Sequence, residues 1–465
     1  MIKNFKKHNI NYFPSPNEDN KDLLIILNKT SEILCKWFSE TNQLSPLPLK
    51  NVFNVSYPQD NGCDLNSLYD EIHNLIYSSF NPTHPGSLAH LDPPPLSISI
   101  IGDLIAAGLN NNLLAEELSP SISILETEIC KWFAKRIGFS DASGGIAASG
   151  GTLNNLNALV TARYNSGLIN DPNAVLILSE DAHVSFKKCA MILGINEKNI
   201  YFIDTNINGS MNLSSFDELL DQLSKSEKKI FAVVATFGTT NFGALDPIND
   251  IANRCKKENI WLHIDASIGG VFLIPKNRYK FLKNLNISNV NSITINPQKI
   301  LGIAKTSSLL IVSNIDNLKK TFQTGLPYLD SSDDVVNLGE LGVQGSRPAE
   351  IIKLWLGLNY LGINGIEKIL DETLSKKSIF LDKLDKSKFE IFTGPLHIIS
   401  FLPKNMPQKE SDEWTLSTKK LLLENDYMIS RPLYKGKYYL RIVFGNFNTT
   451  ESHISELTNL LNNIK

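Results

Sequence analysis

The chain has 465 residues, of which 42% are hydrophobic and 20% charged, and its formal net charge is -3. This length exceeds what one small core can organise, so we expect a large catalytic domain with one or two smaller ones. The lack of a basic excess argues against a nucleic-acid partner and favours small-molecule chemistry. The five cysteines form no metal-ligand pattern with histidine, so we predict reduced thiols and no metal site.

The first part of the chain carries helical apolar spacing. It occurs in DLLIILNKTSEILCKWF and LNSLYDEIHNLIYSSF, on either side of a proline-rich bridge. This pattern predicts a helical N-terminal segment over residues 1–80. The N-terminus has basic residues without a following apolar h-region, and no apolar run is long enough to span a bilayer. These features predict a cytoplasmic protein with no membrane partner.

Residues 81–365 alternate short β-branched runs with helical patterns. The runs are AVLILS, YFID, IFAVVATF, IWLHID, SITIN and SLLIVS. Such alternation predicts a large α/β domain with a mostly parallel sheet and helices on both faces. Residues 366–465 hold a helical stretch, the runs FEIFTG, HIISFLP and YYLRIVFG, and an amphipathic end. They predict a small α+β C-terminal domain.

Four polar side chains follow predicted strands of this sheet, namely His183, Thr240, Asp265 and Lys299. Ligands of open parallel sheets bind at the carboxyl ends of the strands, so we expect these side chains to face one crevice. Together they suit pyridoxal phosphate, which needs a lysine, a carboxylate at the pyridine nitrogen, a phosphate-binding turn and a group against the ring. No G-x-G-x-x-G follows an early strand, which argues against a dinucleotide.

Each of these residues also has a plainer interpretation. A lysine at a strand end is usually a solvated charge, and Asp265 alone suits a turn cap as well as a pyridinium partner. The Gly-rich turn in AASGGTLNNLNALV, with Gly151 and Thr152, is typical of an ordinary helix start as well as of a phosphate site. A lone histidine such as His183 is more often a loop residue. The cofactor prediction therefore depends on these residues occurring together.

The combination resembles the group II pyridoxal-phosphate decarboxylases, the family of glutamate, aromatic-amino-acid and diaminobutyrate decarboxylases. The resemblance rests on ASGGTLNNLNAL, SEDAHVSF, ATFGTTNFGALDPI, HIDAS and NPQK, which occur in the family's order, and the similarity covers most of the chain. It implies fold type I, a homodimer with shared active sites, and pyridoxal-phosphate-dependent decarboxylation of an L-amino acid to its amine. An aldehyde-forming decarboxylase or another pyridoxal-phosphate lyase is the alternative, and a non-catalytic homologue is a further one.

The resemblance also implies a role for each matching residue. Lys299 matches the Schiff-base lysine, Asp265 the partner of the pyridine nitrogen, and His183 the ring-stacking histidine. Gly151 and Thr152 match the phosphate-binding pair. Further cofactor contacts are implied at Thr240, Ser267 and Asn296, and substrate contacts at His84, His90 and Arg441. Arg441 matches an arginine that holds the substrate α-carboxylate, and the alternative is a charge at a strand edge.

The chain departs from the family's pattern at several positions. Gln298 stands where most members have histidine, and glutamine cannot carry a proton at neutral pH. Ser267 and Ile268 stand where alanine and an aromatic residue are commoner, and Leu153 where glutamate is usual. In the family, a loop tyrosine of the neighbouring subunit is thought to protonate the carbanion, and Tyr328 is the candidate here. Loss of such proton donors would favour the aldehyde product.

Overall fold

The computed structural model describes residues 13–48, 55–58, 60–275, 278–325 and 337–464. Its helices are α1 Lys21–Ser39, α2 Leu65–Tyr77, α3 Ser97–Leu109, α4 Pro120–Ile137, α5 Gly151–Asn165, α6 Ser185–Ile192, α7 Leu213–Ser224, α8 Ile248–Lys257, α9 Pro297–Ile300, α10 Asp316–Phe322, α11 Ile351–Lys383, α12 Gln408–Glu424 and α13 Glu451–Asn463. Its strands are β1 Gly144–Ala148, β2 Ala174–Ser179, β3 Ile200–Ile203, β4 Lys229–Thr236, β5 Trp261–Ala266, β6 Ser292–Ile295, β7 Ser308–Val312, β8 Phe389–Phe392, β9 Ile398–Pro403, β10 Leu433–Tyr434, β11 Lys437–Tyr438 and β12 Leu440–Val443.

A seven-stranded sheet forms the centre of the molecule, with strand order β1-β7-β6-β5-β4-β2-β3. The neighbouring strands β6, β5, β4, β2 and β3 run parallel to one another. Strand β7 is antiparallel to both of its neighbours, β1 and β6. The predicted mostly parallel sheet is therefore confirmed. The run GGIAA, which the sequence did not mark as a strand, forms β1, with Gly144 opposite Val312 in the register.

Helices cover both faces of this sheet. On one face α5 contacts β1 and the strands from β4 to β7, and α6 packs against α5. On the other face α4 contacts β1 and β7, and α8 contacts β4 and β5. Because the central strands are covered on both sides, β2 and β5 are buried at every position. This explains why their sequences are continuous apolar runs with little alternation.

The helical N-terminal segment contains α1 and α2, which pack against each other. Asp64 caps α2, because its carboxylate accepts hydrogen bonds from the backbone N–H groups of Asn66 and Ser67. Within the described ranges, no helix is both long and apolar enough to cross a membrane. The cytoplasmic location stays a prediction.

The C-terminal part contains a three-stranded antiparallel sheet with strand order β12-β9-β8. It has an apolar core of its own, which includes Phe380, Phe401 and Phe444. The domain boundary predicted at residue 365 falls inside α11, which runs from the large part into this core. Gly362 interrupts the helix with φ 58° and ψ -178°, a backbone conformation that only glycine adopts readily.

Candidate active site

The carboxyl ends of β2, β4, β5 and β6 meet at one edge of the sheet, where ligands of this architecture bind. A cavity of about 270 Å³ lies at this edge. It is lined by Ser149, Gly150, Gly151, Thr152, Asn155, Asp181, His183, Thr236, Gly238, Thr240, Asp265, Ser267, Ile268, Asn296, Gln298 and Lys299. The structure thus brings together every residue that the sequence predicted to contact the cofactor.

Lys299 lies in the short helix that follows β6. The strand ends at Ile295 and α9 begins with Pro297, a residue that favours the first helical position. Burial lowers the pKa of Lys299, and the negative charge of Asp265 opposes this shift in part. A lysine with a lowered pKa loses its proton more readily and becomes a nucleophile.

Asp265 lies near the end of β5 and is almost fully buried. Its Oδ1 accepts a hydrogen bond from the Ser267 backbone N–H at 3.1 Å, and its Oδ2 accepts one from Asn155 Nδ2 at 3.3 Å. Burial alone would raise the pKa of Asp265, but the charge of Lys299 and the hydrogen bonds from Ser267 leave it below its ordinary value. The side chain is therefore an ionised carboxylate, the form that pairs with a pyridinium nitrogen.

The turn between β1 and α5 has the geometry of an anion site. Gly150 has φ 96°, in the left-handed region that favours glycine. A Cβ at Gly151 would lie 2.8 Å from Asn296 Nδ2 and 2.9 Å from Ser267 Oγ, so a side chain there would fill the space. Because α5 begins at Gly151, its first backbone N–H groups are available to a phosphate.

Two further polar groups of the cavity support binding of a polar ligand. Thr236 Oγ1 is buried and has no hydrogen-bond partner among the described residues. Asn296 Oδ1 accepts from Ser308 Oγ at 2.6 Å, which fixes the amide and leaves Nδ2 to donate elsewhere. Buried polar groups cost free energy unless they are paired. The donors, the carboxylate and the lysine therefore fit pyridoxal phosphate.

His183 and Asp181 line the cavity on the side of β2. His183 Nδ1 accepts a hydrogen bond from the Ser185 backbone N–H at 3.2 Å, so the neutral ring carries its proton on Nε2. Burial lowers the pKa of His183, which favours this neutral form. Tyr434 Oη donates to Asp181 Oδ2 at 3.0 Å, and burial raises the pKa of Asp181 to about 6.

The three predicted substrate contacts lie apart from the cavity wall. His84 is buried and its Nδ1 accepts from the Gly86 backbone N–H at 3.0 Å, so it stabilises its own turn. His90 is exposed. Arg441 is buried and donates at 2.9 Å to the backbone oxygen of Thr240, which lines the cavity. Of these three predicted contacts, only Arg441 is joined to the cavity wall by a direct hydrogen bond within the described ranges.

Gln298, a position at which the chain differs from the family pattern, can now be placed. Gln298 lines the cavity, and its Oε1 accepts a hydrogen bond from the Ser307 backbone N–H at 2.6 Å. Gln298, which occupies the position of the family's histidine, therefore stabilises the backbone before β7. Tyr328 lies outside the described residues, and its role as proton donor stays a prediction.

The sequence analysis did not single out several residues of the cavity wall. Among them are Asn155, Asp181 and Thr236, all within or beside the motifs that carry the resemblance. Asn155 follows Thr152 by three positions on α5, and residues three apart share one face of a helix. Helical spacing from the phosphate-binding turn is thus a signal that could have found Asn155.

The parallel sheet, the strand-end lysine, the buried carboxylate and the glycine turn together define a pyridoxal-phosphate enzyme of fold type I. The sequence profile of the pyridoxal-dependent decarboxylase conserved domain matches residues 46–401, and the chain belongs to this family. It is 31% identical to the acidic amino acid decarboxylase GADL1 of Xenopus tropicalis over 385 residues, 79% of this chain and 73% of that protein. It is 28% identical to the aromatic-L-amino-acid decarboxylase of Bacillus atrophaeus over 447 residues, 93% of this chain and 92% of that protein.

Solved structures share the fold at lower sequence identity. The crystal structure of mouse CSAD in apo form has a TM-score of 0.88 and 22% identity, and the match covers 96% of this chain and 100% of that chain. Oryza sativa TDC with PLP and tryptamine also has a TM-score of 0.88, with 20% identity and coverage of 97% and 100%. The chain is a pyridoxal-phosphate-dependent amino-acid decarboxylase, a carboxy-lyase. The predictions of family, fold type, cofactor and enzyme class are confirmed.

Proposed function

We propose that the cavity at the sheet edge converts an L-amino acid to its amine with release of CO₂, and that its residues have the roles given below. The observation that carries the proposal is the convergence of Lys299, Asp265 and the Gly151 turn on one cavity. When bound, pyridoxal phosphate supplies a cationic ring that withdraws electrons from the amino acid it holds.

The residues of the chain bind and orient the reacting groups. Lys299 Nζ, with its lowered pKa, gives up its proton and acts as the nucleophile. The Asp265 carboxylate holds a proton on the pyridine nitrogen, because an ionised partner favours the cation. His183 would pack against the ring, and its neutral imidazole carries the proton on Nε2. Tyr328 is the proposed proton donor for amine formation, and this role rests on the sequence resemblance alone.

Arg441 is the proposed partner of the substrate carboxylate. Its guanidinium group donates to Ser430 Oγ, to the Thr240 backbone oxygen and to the Ala89 backbone oxygen, at 2.9, 2.9 and 3.1 Å. These three bonds fix the plane of the group, and two of its five N–H donors remain without a partner among the described residues. A buried guanidinium without a carboxylate partner favours an anionic ligand.

Arg441→Met should raise the KM of the amino acid by about tenfold or more, because one charge-assisted contact with the carboxylate is lost. The absorbance of the bound cofactor should stay unchanged. Arg431→Met is the matched control, since Arg431 contacts Thr415, Asp412 and Tyr438 and does not line the cavity. An unchanged KM in Arg441→Met, measured by steady-state kinetics, would contradict the proposed carboxylate contact.

The product assay tests the proposed function directly. The relatives are named for acidic and for aromatic amino acids, so acidic and aromatic L-amino acids form the first panel. We expect CO₂ and amine in equal amounts from at least one of them, with borohydride-treated enzyme as the inactive control. Aldehyde, ammonia and peroxide in place of amine would contradict the proposal and support the aldehyde-forming alternative.

We propose in addition that the enzyme is a homodimer. A row of apolar side chains is exposed on α3, and α1 exposes a second set; these are Ile101, Leu104, Ile105 and Leu109, and Leu23, Leu24 and Ile25. The α3 side chains follow helical spacing and form one exposed apolar row, a feature typical of a protein interface. Two copies of the chain that join through α3 would remove it from water.

Leu104→Glu should disrupt this interface and halve the mass measured by light scattering, because a charge replaces a buried apolar contact. Decarboxylase activity should fall with the dimer if the active sites are shared between subunits. Leu416→Glu is the control, because Leu416 is similarly exposed but lies on α12. A Leu104→Glu enzyme with the mass of the wild type would exclude α3 as the interface.

A further inference from the structure

We propose that Asn155 is a positioning residue that fixes both Asp265 and the turn that carries His183. This inference rests on the proposed function, since it assumes that these two side chains contact the cofactor. Asn155 lies in the second turn of α5, is almost completely buried and lines the cavity. Its own side chain has no charge and no nucleophile, so its contribution to the reaction is geometric.

Both polar atoms of the Asn155 side chain are paired. Nδ2 donates to Asp265 Oδ2 at 3.3 Å and to Ser185 Oγ at 3.2 Å. Oδ1 lies 3.2 Å from His263 Nε2. The opposite orientation of the amide would place Oδ1 against the Asp265 carboxylate, where two acceptors repel each other. The neighbours therefore fix the amide, and His263 must carry its proton on Nε2 to donate to Oδ1.

The hydrogen bonds on the Nδ1 side of the His263 ring are also donated in the direction of Asn155. Trp261 Nε1, which can only donate, donates to Ser292 Oγ at 2.9 Å. Ser292 Oγ lies 2.8 Å from His263 Nδ1, and with the His263 proton on Nε2 the Ser292 hydroxyl is the donor to Nδ1. Burial lowers the pKa of His263 to about 4, in agreement with a neutral ring. These residues, from Trp261 through Ser292 and His263 to Asn155, form what we call the Asn155 network.

The Asn155 network brings a hydrogen-bond donor to Asp265 without bringing a formal charge. All its members are buried, and hydrogen bonds in such surroundings are stronger and more directional than in water. A donor stabilises the ionised carboxylate, and a neutral donor leaves the charge of Asp265 available to a cationic ring. The network thus holds the carboxylate in one orientation.

The second N–H of Asn155 reaches the side of the cavity where His183 lies. Ser185 Oγ accepts this N–H, and the Ser185 backbone N–H donates to His183 Nδ1 at 3.2 Å. One amide therefore joins β5, which carries Asp265, to the turn before α6, which carries His183. Displacing the amide would change the position of both side chains together.

Asn155→Leu keeps the approximate volume of the side chain and removes all three hydrogen bonds. In the full chain reconstituted with pyridoxal phosphate, we expect the dissociation constant of the cofactor to rise about 10- to 100-fold. The visible circular dichroism of the bound cofactor, which reports its orientation, should change. The kcat should fall while the KM of the amino acid stays within about twofold. Asn155→Ser should shift the same quantities in the same direction. If the leucine variant does not fold, the serine variant is used for the test instead.

Asn157→Leu is the matched control. Asn157 lies two residues further along α5, is equally buried, and accepts a hydrogen bond from the Val343 backbone N–H at 3.0 Å without lining the cavity. This variant should lose thermal stability and keep the cofactor affinity and circular dichroism of the wild type.

Two results would overturn the positioning role: wild-type cofactor affinity and circular dichroism in the Asn155 variants, or equal losses in Asn157→Leu. The wild-type enzyme, run in the same assays, separates this inference from the proposed function. No amine formation by the wild type would contradict the proposed function. Unaltered Asn155 variants of an active wild type would contradict only the role of Asn155.

Discussion

Lys299→Ala is expected to abolish decarboxylation, with a fall in turnover of more than about 10⁴-fold. Among the described residues that line the cavity at the sheet edge, Lys299 is the only lysine, and its lowered pKa favours its proposed role as the nucleophile. The variant should fold and keep the molecular mass of the wild type, because the side chain makes no hydrogen bond that the fold requires among the described residues. It should lose the visible absorbance band of the cofactor that borohydride bleaches.

Lys305→Ala is the matched control for this experiment. Lys305 is the next lysine after Lys299 in the sequence, but it pairs with Asp92 and does not line the cavity. We expect Lys305→Ala to keep the borohydride-sensitive band. If the band survives in Lys299→Ala and disappears in Lys305→Ala, the assignment of the nucleophile is wrong.

Asp265→Asn is expected to slow decarboxylation by about 10³-fold or more and to weaken cofactor binding. The substitution keeps the shape of the side chain and removes its negative charge, so the proton on the pyridine nitrogen loses its ionic partner. Single-turnover kinetics with saturating cofactor separates the slower reaction from the weaker binding.

Asp204→Asn controls for the loss of one negative charge at this edge of the sheet. Asp204 follows β3, is exposed and does not line the cavity. We expect this variant to match the wild type in rate and in cofactor affinity. A near-normal turnover in Asp265→Asn would remove Asp265 from the list of residues that act on the cofactor.

The strands that carry the site could be predicted because their sequence signal is local. Buried parallel strands are continuous apolar runs, and each run from AVLILS to SLLIVS became a strand of the central sheet. The strand β1 could not be predicted in this way, because GGIAA has few branched residues. Its pairing with β7 explains the glycine: a Cβ at Gly145 would lie 2.1 Å from the Leu310 backbone oxygen.

The positions of Asp265 and Lys299 in the cavity could be predicted, because each follows from the end of one strand. The site was not predictable where the function depends on contacts between distant elements. Asn155 and Asp265 are 110 positions apart in sequence and meet only because α5 packs on β5. The sequence predicts a substrate contact for His84. Its side chain instead accepts a hydrogen bond from the Gly86 backbone N–H in its own turn and lies apart from the cavity.

The hydrogen bond between Gln298 and the Ser307 backbone has a consequence for the supply of protons. Glutamine cannot release a proton, Asp265 is ionised, and Asp181 with a pKa of about 6 is mostly ionised at neutral pH. Apart from Lys299 and His183, the titratable groups that line the cavity thus have few protons to give. The proton that replaces CO₂ would therefore come either from Lys299 or His183 in the cavity wall, or from a donor outside this wall such as the proposed Tyr328. If the donor lies outside the wall, as proposed for Tyr328, the product would depend on how soon this donor reaches the reacting carbon after CO₂ has gone.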